Sequence, residues 1–364
     1  MDTGLILILG ALVLNGALIF TSAALGLLAR GETHISSVVF NHFVLGIGGG
    51  TILLILFALF DHKKFRAWAP YIFAGTLLLT VLVFVPFLGF EHGGGKRWID
   101  LRLLTIQPSE FLKLGAIIFA ASYFASLRDQ TSSWKGPAAF AGIIGIPALI
   151  LLLQPDLGTL GITTVSVFAI FVAAGARLRD IAILGAAALL VLGILSFIPR
   201  YNYVYDRIDT FFNPAEQSAT GEGFQIRQSL IAVGSGGLVG RGFGQGVQKF
   251  TYLPEPMGDS IYATLAEEFG FIGGVLLIVL FLMLALKGYG IAARAPDMFG
   301  GLLAVGLSTY LAGEAFINIA AMLGIAPLTG IPLTFISQGG SAMLASLAGA
   351  GILLNISRRH PRKA

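Results

Sequence analysis

The chain has no cysteine among its 364 residues, which excludes disulfides, thiolate metal sites, iron–sulfur clusters and cysteine nucleophiles. Charge is scarce as well. Asp, Glu, Lys and Arg make up 12% of the sequence, too little to cover a water-facing surface, so a soluble globular enzyme is ruled out. The motifs H-E-x-x-H and G-x-S-x-G are missing and no histidine sits near a candidate nucleophile, which disfavours zincin and serine-hydrolase chemistry. What remains is apolar, with 56% hydrophobic residues and a mean hydropathy of +0.86. The apolar stretches recur along the whole chain with short polar gaps, as in one polytopic membrane domain. The formal charge of +4 comes from Lys and Arg in short loops and at the C-terminus. It reports topology and implies no nucleic-acid partner.

A crossing takes about 20 mainly apolar residues. Ten stretches qualify: 4–29, 38–60, 70–90, 108–126, 137–154, 158–175, 179–198, 260–286, 298–322 and 333–356. This predicts an all-α membrane protein of about ten transmembrane helices, a single domain over 1–364 with one large extracytoplasmic loop at 199–259. Only Gln154-Pro155-Asp156-Leu157-Gly158 separates the fifth and sixth stretches, which form either two spans or one re-entrant hairpin. The first stretch lacks a basic leader and is too long for a signal peptide, so it reads as a retained span. Basic residues in short loops set the orientation. Lys63, Lys64, Arg66, Arg128, Lys135, Arg177, Arg179, Lys287, Arg294, Arg358, Arg359, Arg362 and Lys363 fall on one face, against Arg30, Lys96, Arg97 and Arg102 on the other. The first face is therefore expected to be cytoplasmic, with both termini on it and the long loop outside.

That loop is nearly charge-balanced, with Arg200, Arg207, Arg227, Arg241 and Lys249 against Asp206, Asp209, Glu216, Glu222 and Glu255. Within Gln225 to Val233, Ile226, Leu230 and Ile231 recur at helical spacing, which predicts a short helix on the membrane surface. Seven glycines follow between Gly234 and Gly246. They match neither G-x-x-x-x-G-K-[ST] nor G-x-G-x-x-G, so a flexible loop with tight turns is expected rather than a phosphate cradle.

Charges in or beside the spans need reasons, because a charge in hydrocarbon costs about 2.5 to 3.5 kcal/mol even on the lenient insertion scale. Glu110 and Lys113 are close enough on a helix to pair, while Gln107-Pro108-Ser109-Glu110 is also a helix-start signature. Asp156 reads more as an N-cap than as an acid or base. Glu314 lies deep in the ninth stretch without a sequence-local partner, which calls for a lined cavity or an interhelical hydrogen bond. Asp259 is the best chemical candidate: it follows a turn fixed by Pro254, Pro256 and Gly258 and precedes an apolar helix, although an N-cap would use the same residue. Glu267 and Glu268 lie too far along that helix to partner it, so one isolated acid suited to a single proton abstraction is what the sequence offers.

In their joint order these residues resemble the SEDS family of integral membrane proteins, whose bacterial members RodA and FtsW polymerise peptidoglycan. The resemblance rests on Gly95-Lys96-Arg97-Trp98-Ile99, Gln107-Pro108-Ser109-Glu110 with Lys113, and Gln154-Pro155-Asp156-Leu157-Gly158-Thr159. It continues through Gln225, Gln228-Ser229 and Gly234-Ser235-Gly236-Gly237 to Leu253-Pro254-Glu255 and Asp259. It ends with Gly330-Ile331-Pro332-Leu333 and Ser337-Gln338-Gly339-Gly340-Ser341. The stretch Gln248 to Pro256 leans toward the FtsW branch. Gly258 and Ser260 stand where the family usually has Thr and Phe, and Gln338 replaces its usual Tyr.

The resemblance implies a glycosyltransferase joining lipid II units at the outer face of the cytoplasmic membrane, with Asp259 as general base. It implies Arg97, Arg241 and Lys249 as cations for the pyrophosphate, Glu110 and Lys113 lining a cavity beneath Asp259, Ser337 and Ser341 as further substrate-binding residues, and a divalent cation such as Mg or Mn. The implied partners are lipid II, a class B penicillin-binding protein acting as transpeptidase, and other divisome or elongasome membrane proteins. Two further readings stay open: a lipid II flippase with Glu110, Lys113, Glu267 and Glu314 as its polar path, disfavoured because no paired broken helices are visible, and a division scaffold.

Overall fold

Apolar runs of spanning length form helices because hydrocarbon leaves the backbone's polar groups no partners but each other. The computed structural model describes residues 1–29, 35–92, 95–100, 105–198, 201–213 and 221–358. Of the charges named for topology and the loop, Arg30, Arg102, Arg200, Glu216, Arg359, Arg362 and Lys363 lie outside the described residues. The chain runs through α1 (Thr3–Ala29), then α2 (Ile35–Phe40) and α3 (Gly50–Leu59) joined by a π-helical stretch at Asn41–Gly49. Next come α4 (His62–Val81), a small sheet of β1 (Gly89–His92), β2 (Gly95–Asp100) and β3 (Thr105–Ile106), and α5 (Pro108–Leu127). After these follow α6 (Lys135–Leu153), α7 (Leu157–Ala173), α8 (Leu178–Ser196), α9 (Asn202–Phe212), α10 (Gly221–Ser235) and α11 (Gln248–Thr251). Three long helices close the chain: α12 (Ile261–Ala293), α13 (Met298–Met322) and α14 (Gly340–Arg358). Among the described residues nine helices are long and apolar enough to span a membrane, and α7, at 17 residues, is a shorter apolar one. The multi-pass all-α architecture expected from hydropathy is therefore present.

The differences are local and have causes. The third span begins at His62 rather than 70, because Asp61 caps the helix by accepting from Lys63 N at 3.0 Å and carries the basic turn into it. It stops early because Gly89–His92 pairs antiparallel with β2 instead. The tenth starts at Gly340, since residues 326–339 form an irregular segment with glycines at positive φ. The predicted short helix over Gln225 to Val233 is present as part of α10.

Asp2 N donates to Ser357 Oγ at 3.1 Å and Asn355 Oδ1 accepts from His62 N, so the N-terminus, the start of α4 and the end of α14 share one end of the bundle. The described parts of the long loop, β1–β3 and residues 323–339 lie at the other. Helices α13 and α14 are the most enclosed, and small residues let neighbouring helices approach them: a Cβ on Gly351 of α14 would lie 2.5 Å from Leu54 O of α3, and one on Gly288 of α12 2.0 Å from Ser308 Oγ of α13.

Helix α12 is broken at Gly270, which has φ 66° and ψ −166°. The glycine run that reads as a flexible loop repairs the break. Phe271 N donates to Gly237 O at 2.8 Å and Ile272 N to Leu238 O at 3.1 Å, while Arg241 N donates to Glu267 O at 3.1 Å and Gly242 N to Glu268 O at 3.0 Å. Only glycine permits this approach: a Cβ on Gly240 would lie 2.1 Å from Glu268 O.

Candidate functional site

Asp259 lies at the long-loop end of the bundle, just ahead of Ser260, the N-cap of α12, so the capping position falls one residue beyond it. The turn that holds it is anchored by buried Leu253 and Met257 and closed by Gly258 N and Ser260 N, which donate to Glu255 O at 3.0 and 3.2 Å. Asp259 is partly exposed. Its carbonyl accepts from Asn318 Nδ2 of α13 at 2.9 Å, and a second hydrogen of the same amide reaches Ile331 O at 2.8 Å. Gly330, at φ 67°, turns the chain so that a Cβ there would sit 3.7 Å from Asp259 Oδ2. Arg207 Nη1 of α9 reaches Thr329 O of the same segment at 3.5 Å.

Motifs far apart in the sequence meet around this segment. Ser337 Oγ donates to Gly258 O at 2.8 Å and accepts from Leu333 N at 2.7 Å, and Gln338 N donates to Met257 O. Ser341 Oγ accepts from Gln107 N at 3.0 Å. Asp156 is the N-cap of α7, accepting from Thr159 N at 3.2 Å and also from Ser109 Oγ at 3.1 Å. Arg97 donates to Gln154 O and Pro155 O, clamping β2 to the break between α6 and α7. Gly158 completes the ring, since a Cβ on it would lie 2.6 Å from Thr329 O.

Below lies a buried charge cluster. Lys113 Nζ stands 2.9 Å from Glu110 Oε2 and 2.6 Å from Glu314 Oε1, over the ring of Tyr310. Glu314 therefore has the interhelical partner its depth called for. All three side chains are almost fully enclosed, so Glu110 and Lys113 brace the bundle and do not line an open cavity.

Several expected substrate contacts are corrected on geometry. Lys249 is fully buried, pairing with Glu268 and donating to Ser22 Oγ at 2.6 Å. A desolvated, paired ammonium is not presented to a pyrophosphate. Ser337 and Ser341 are likewise buried, their hydroxyls satisfied by the backbone of the site's own loops. Arg241 keeps an exposed side chain, 3.7 Å from Glu267 Oε1. Arg97 is half-buried and held by the two carbonyls. Glu267 and Glu268 do not approach Asp259; their carboxylates fasten the glycine run, Glu267 through Val247 N at 2.8 Å and Glu268 through Gly244 N at 3.0 Å.

Two residues were missed by reading the sequence, Asn318 and Arg207, while Gln225, named in the family resemblance, places its Nε2 3.0 Å from Ser260 Oγ. Asn318 carried a signal, being a polar amide inside an apolar span. Arg207 was one loop charge among many. As for a divalent ion, among the described residues no three His, Asp or Glu side chains converge as ligands.

Comparison with known proteins gives a consistent result. The FtsW/RodA/SpoVE family model, described as a cell cycle protein, matches residues 3–362. The chain is 38% identical to stage V sporulation protein E of Bacillus subtilis, over 97% of its own length and 96% of that protein's. It is 34% identical to the peptidoglycan glycosyltransferase MrdB of Escherichia coli, over 98% and 93%. To a probable peptidoglycan glycosyltransferase FtsW of a Geobacter species it is 39% identical over 82% and 81%. Among solved structures, one chain of a peptidoglycan synthase complex superposes with a TM-score of 0.80 at 26% identity, covering 100% of this chain and 99% of that one. RodA of Thermus thermophilus gives 0.70 at 26%, covering 100% and 98%. Relatives of three branches appear together, so the lean toward FtsW receives only weak support.

Proposed function

As the chain belongs to the FtsW/RodA/SpoVE family of cell cycle proteins, we propose that it is a peptidoglycan glycosyltransferase that joins lipid II units into β-1,4 glycan strands. It acts in the cytoplasmic membrane, with both termini cytoplasmic and Asp259 at the outer face. The side of the bundle opposite Asp259 carries Lys63, Lys64, Arg66, Lys287 and Arg294, in keeping with that orientation. Its partner is a class B penicillin-binding protein, and the related peptidoglycan synthase complex, in which polymerization and crosslinking are coordinated, supports this.

The observation that carries the reading is a partly exposed carboxylate at the start of a helix, with its main chain held by Asn318 where motifs far apart in the sequence converge. In the reaction the acceptor GlcNAc 4-hydroxyl attacks the anomeric carbon of the donor MurNAc. Asp259 takes the hydroxyl proton, the new C–O bond forms, and the C–O bond to the lipid pyrophosphate breaks with its electron pair leaving on the phosphate. Pyrophosphate leaves without a protonating acid, so a single base is enough. Cations stabilise the departing charge. Arg207 beside Thr329 and the exposed Arg241 suit that role better than Lys249 does.

The test is polymerisation of lipid II by purified protein with its transpeptidase, resolved on a glycan gel. The wild type should give strands and Asp259→Ala none, at equal folded yield. Strands from Asp259→Ala would end the base assignment, and lipid crossing liposomes without elongation would favour transport.

A further inference from the structure

A general base must hold its carboxylate within a fraction of an ångström of a productive position, so whatever fixes its main chain matters to rate. Asp259 precedes its helix and sits in a turn, where the backbone has no ladder to hold it. The strongest tie on it comes from elsewhere. Asn318 is 2% exposed and uses both amide hydrogens at once, on Asp259 O at 2.9 Å and Ile331 O at 2.8 Å. The same segment is gripped one helical turn away on α13, where Glu314 Oε2 accepts from Thr334 Oγ1 at 3.4 Å. Glu314 and Asn318, four residues apart, share a face of that helix. Through Glu314 this face joins Lys113, and through Asn318 it joins Asp259.

We infer that Asn318 is a positioning residue for the transferase reaction, its amide locking the Asp259 peptide against the Gly330–Ile331 turn. Resting on Asp259 as the base, this inference adds the device that aims it. Buried in the rigid middle of the bundle, α13 serves as the fixed reference, while the turn before α12 and the 326–339 segment are what it holds. A neutral donor suits the place. A cation would compete for the carboxylate, and an apolar side chain would remove the hydrogen bonds to both carbonyls.

Asn318→Leu matches the volume and removes both donors, whereas Asn318→Ser keeps one hydroxyl donor. With purified enzyme and transpeptidase partner on lipid II, Asn318→Leu should lower kcat about 100-fold with KM unchanged, the scale set by roughly 1 Å of misplacement. Asn318→Ser should fall between it and the wild type. Wild-type kcat in a folded Asn318→Leu protein overturns the inference, and so does a loss confined to KM. If Asn318→Leu does not fold, Asn318→Ser decides by the same split between kcat and KM. Asp259→Ala is measured alongside: an active Asp259→Ala enzyme removes the base and this inference together, whereas an inactive one beside unaffected Asn318 variants removes the inference alone.

Discussion

Lys113 Nζ meets Glu314 Oε1 at 2.6 Å across 201 residues of sequence, with Glu110 at 2.9 Å on its other side. A cation shared by two carboxylates is how this bundle keeps three ionisable groups in its interior, since each alone would be desolvated and uncompensated. Removing the lysine therefore leaves two buried acids. Lys113→Met should destabilise the protein by about 3–5 kcal/mol, read as a lowered Tm in detergent. Glu314→Gln, which keeps the Glu110 pair, should cost less. Equal losses would mean that the two acids are not coupled through the lysine.

For Lys249 the expectation separates structure from substrate binding. The buried pair with Glu268 predicts that Lys249→Ala destabilises the protein, again by about 3–5 kcal/mol and read as a lowered Tm, and reduces activity only in step with folded protein. A raised KM for lipid II at unchanged Tm would show instead that the ammonium reaches the substrate.

Gly270→Ala attacks the break in α12. Its φ of 66° is strained for any side chain, and the added Cβ would stand 2.3 Å from Gly240 N. Strain of this kind costs about 1–3 kcal/mol before the clash is counted. The variant should melt earlier and become open to protease within 236–246. Unchanged protease resistance would mean that the glycine run is held by other contacts.

At the opposite end, Asp297 caps α13 through Gly300 N at 2.8 Å and touches His62 Nε2 at 3.0 Å. Burial pushes its carboxyl up, but the Gly300 N–H, the His62 ring and nearby Lys63 outweigh that and hold it below the usual 3.8. A depressed folded-state value means the stabilisation is complete above the unfolded value and is lost as pH falls through the folded one. Tm should thus decline as pH drops below about 4, and Asp297→Asn should flatten that decline. An identical acid limb in both proteins would contradict it.

Much of this architecture could be read from the sequence, and the failures share a cause. Spans are legible because hydrocarbon imposes length and apolarity residue by residue, and Asp156 was legible as a cap because capping is local. The burial of Lys249 was not legible because it depends on Ser22 of α1 and Glu268 of α12, two spans that the sequence alone does not bring to the loop. Ser337 and Ser341 carried hydroxyls that look available until their backbone partners are known. The β1–β3 sheet escaped because Gly89–His92 continues an apolar run that reads as the end of a span, and this reading overrode the hairpin signal Gly93-Gly94 between β1 and β2. Asp259 stood out because prolines and glycine isolate it, while Asn318 lay hidden among apolar neighbours.

The patched break in α12 blurs the usual division between a loop and a membrane helix. Residues 237–242 complete a hydrogen-bond pattern that the helix cannot finish alone, so a genetic lesion at Gly240 should resemble a lesion within the bilayer. Suppressors of such lesions would then be sought on α12 rather than among neighbouring loop residues. Sequence drift in this glycine run is accordingly constrained by a helix lying some thirty positions downstream.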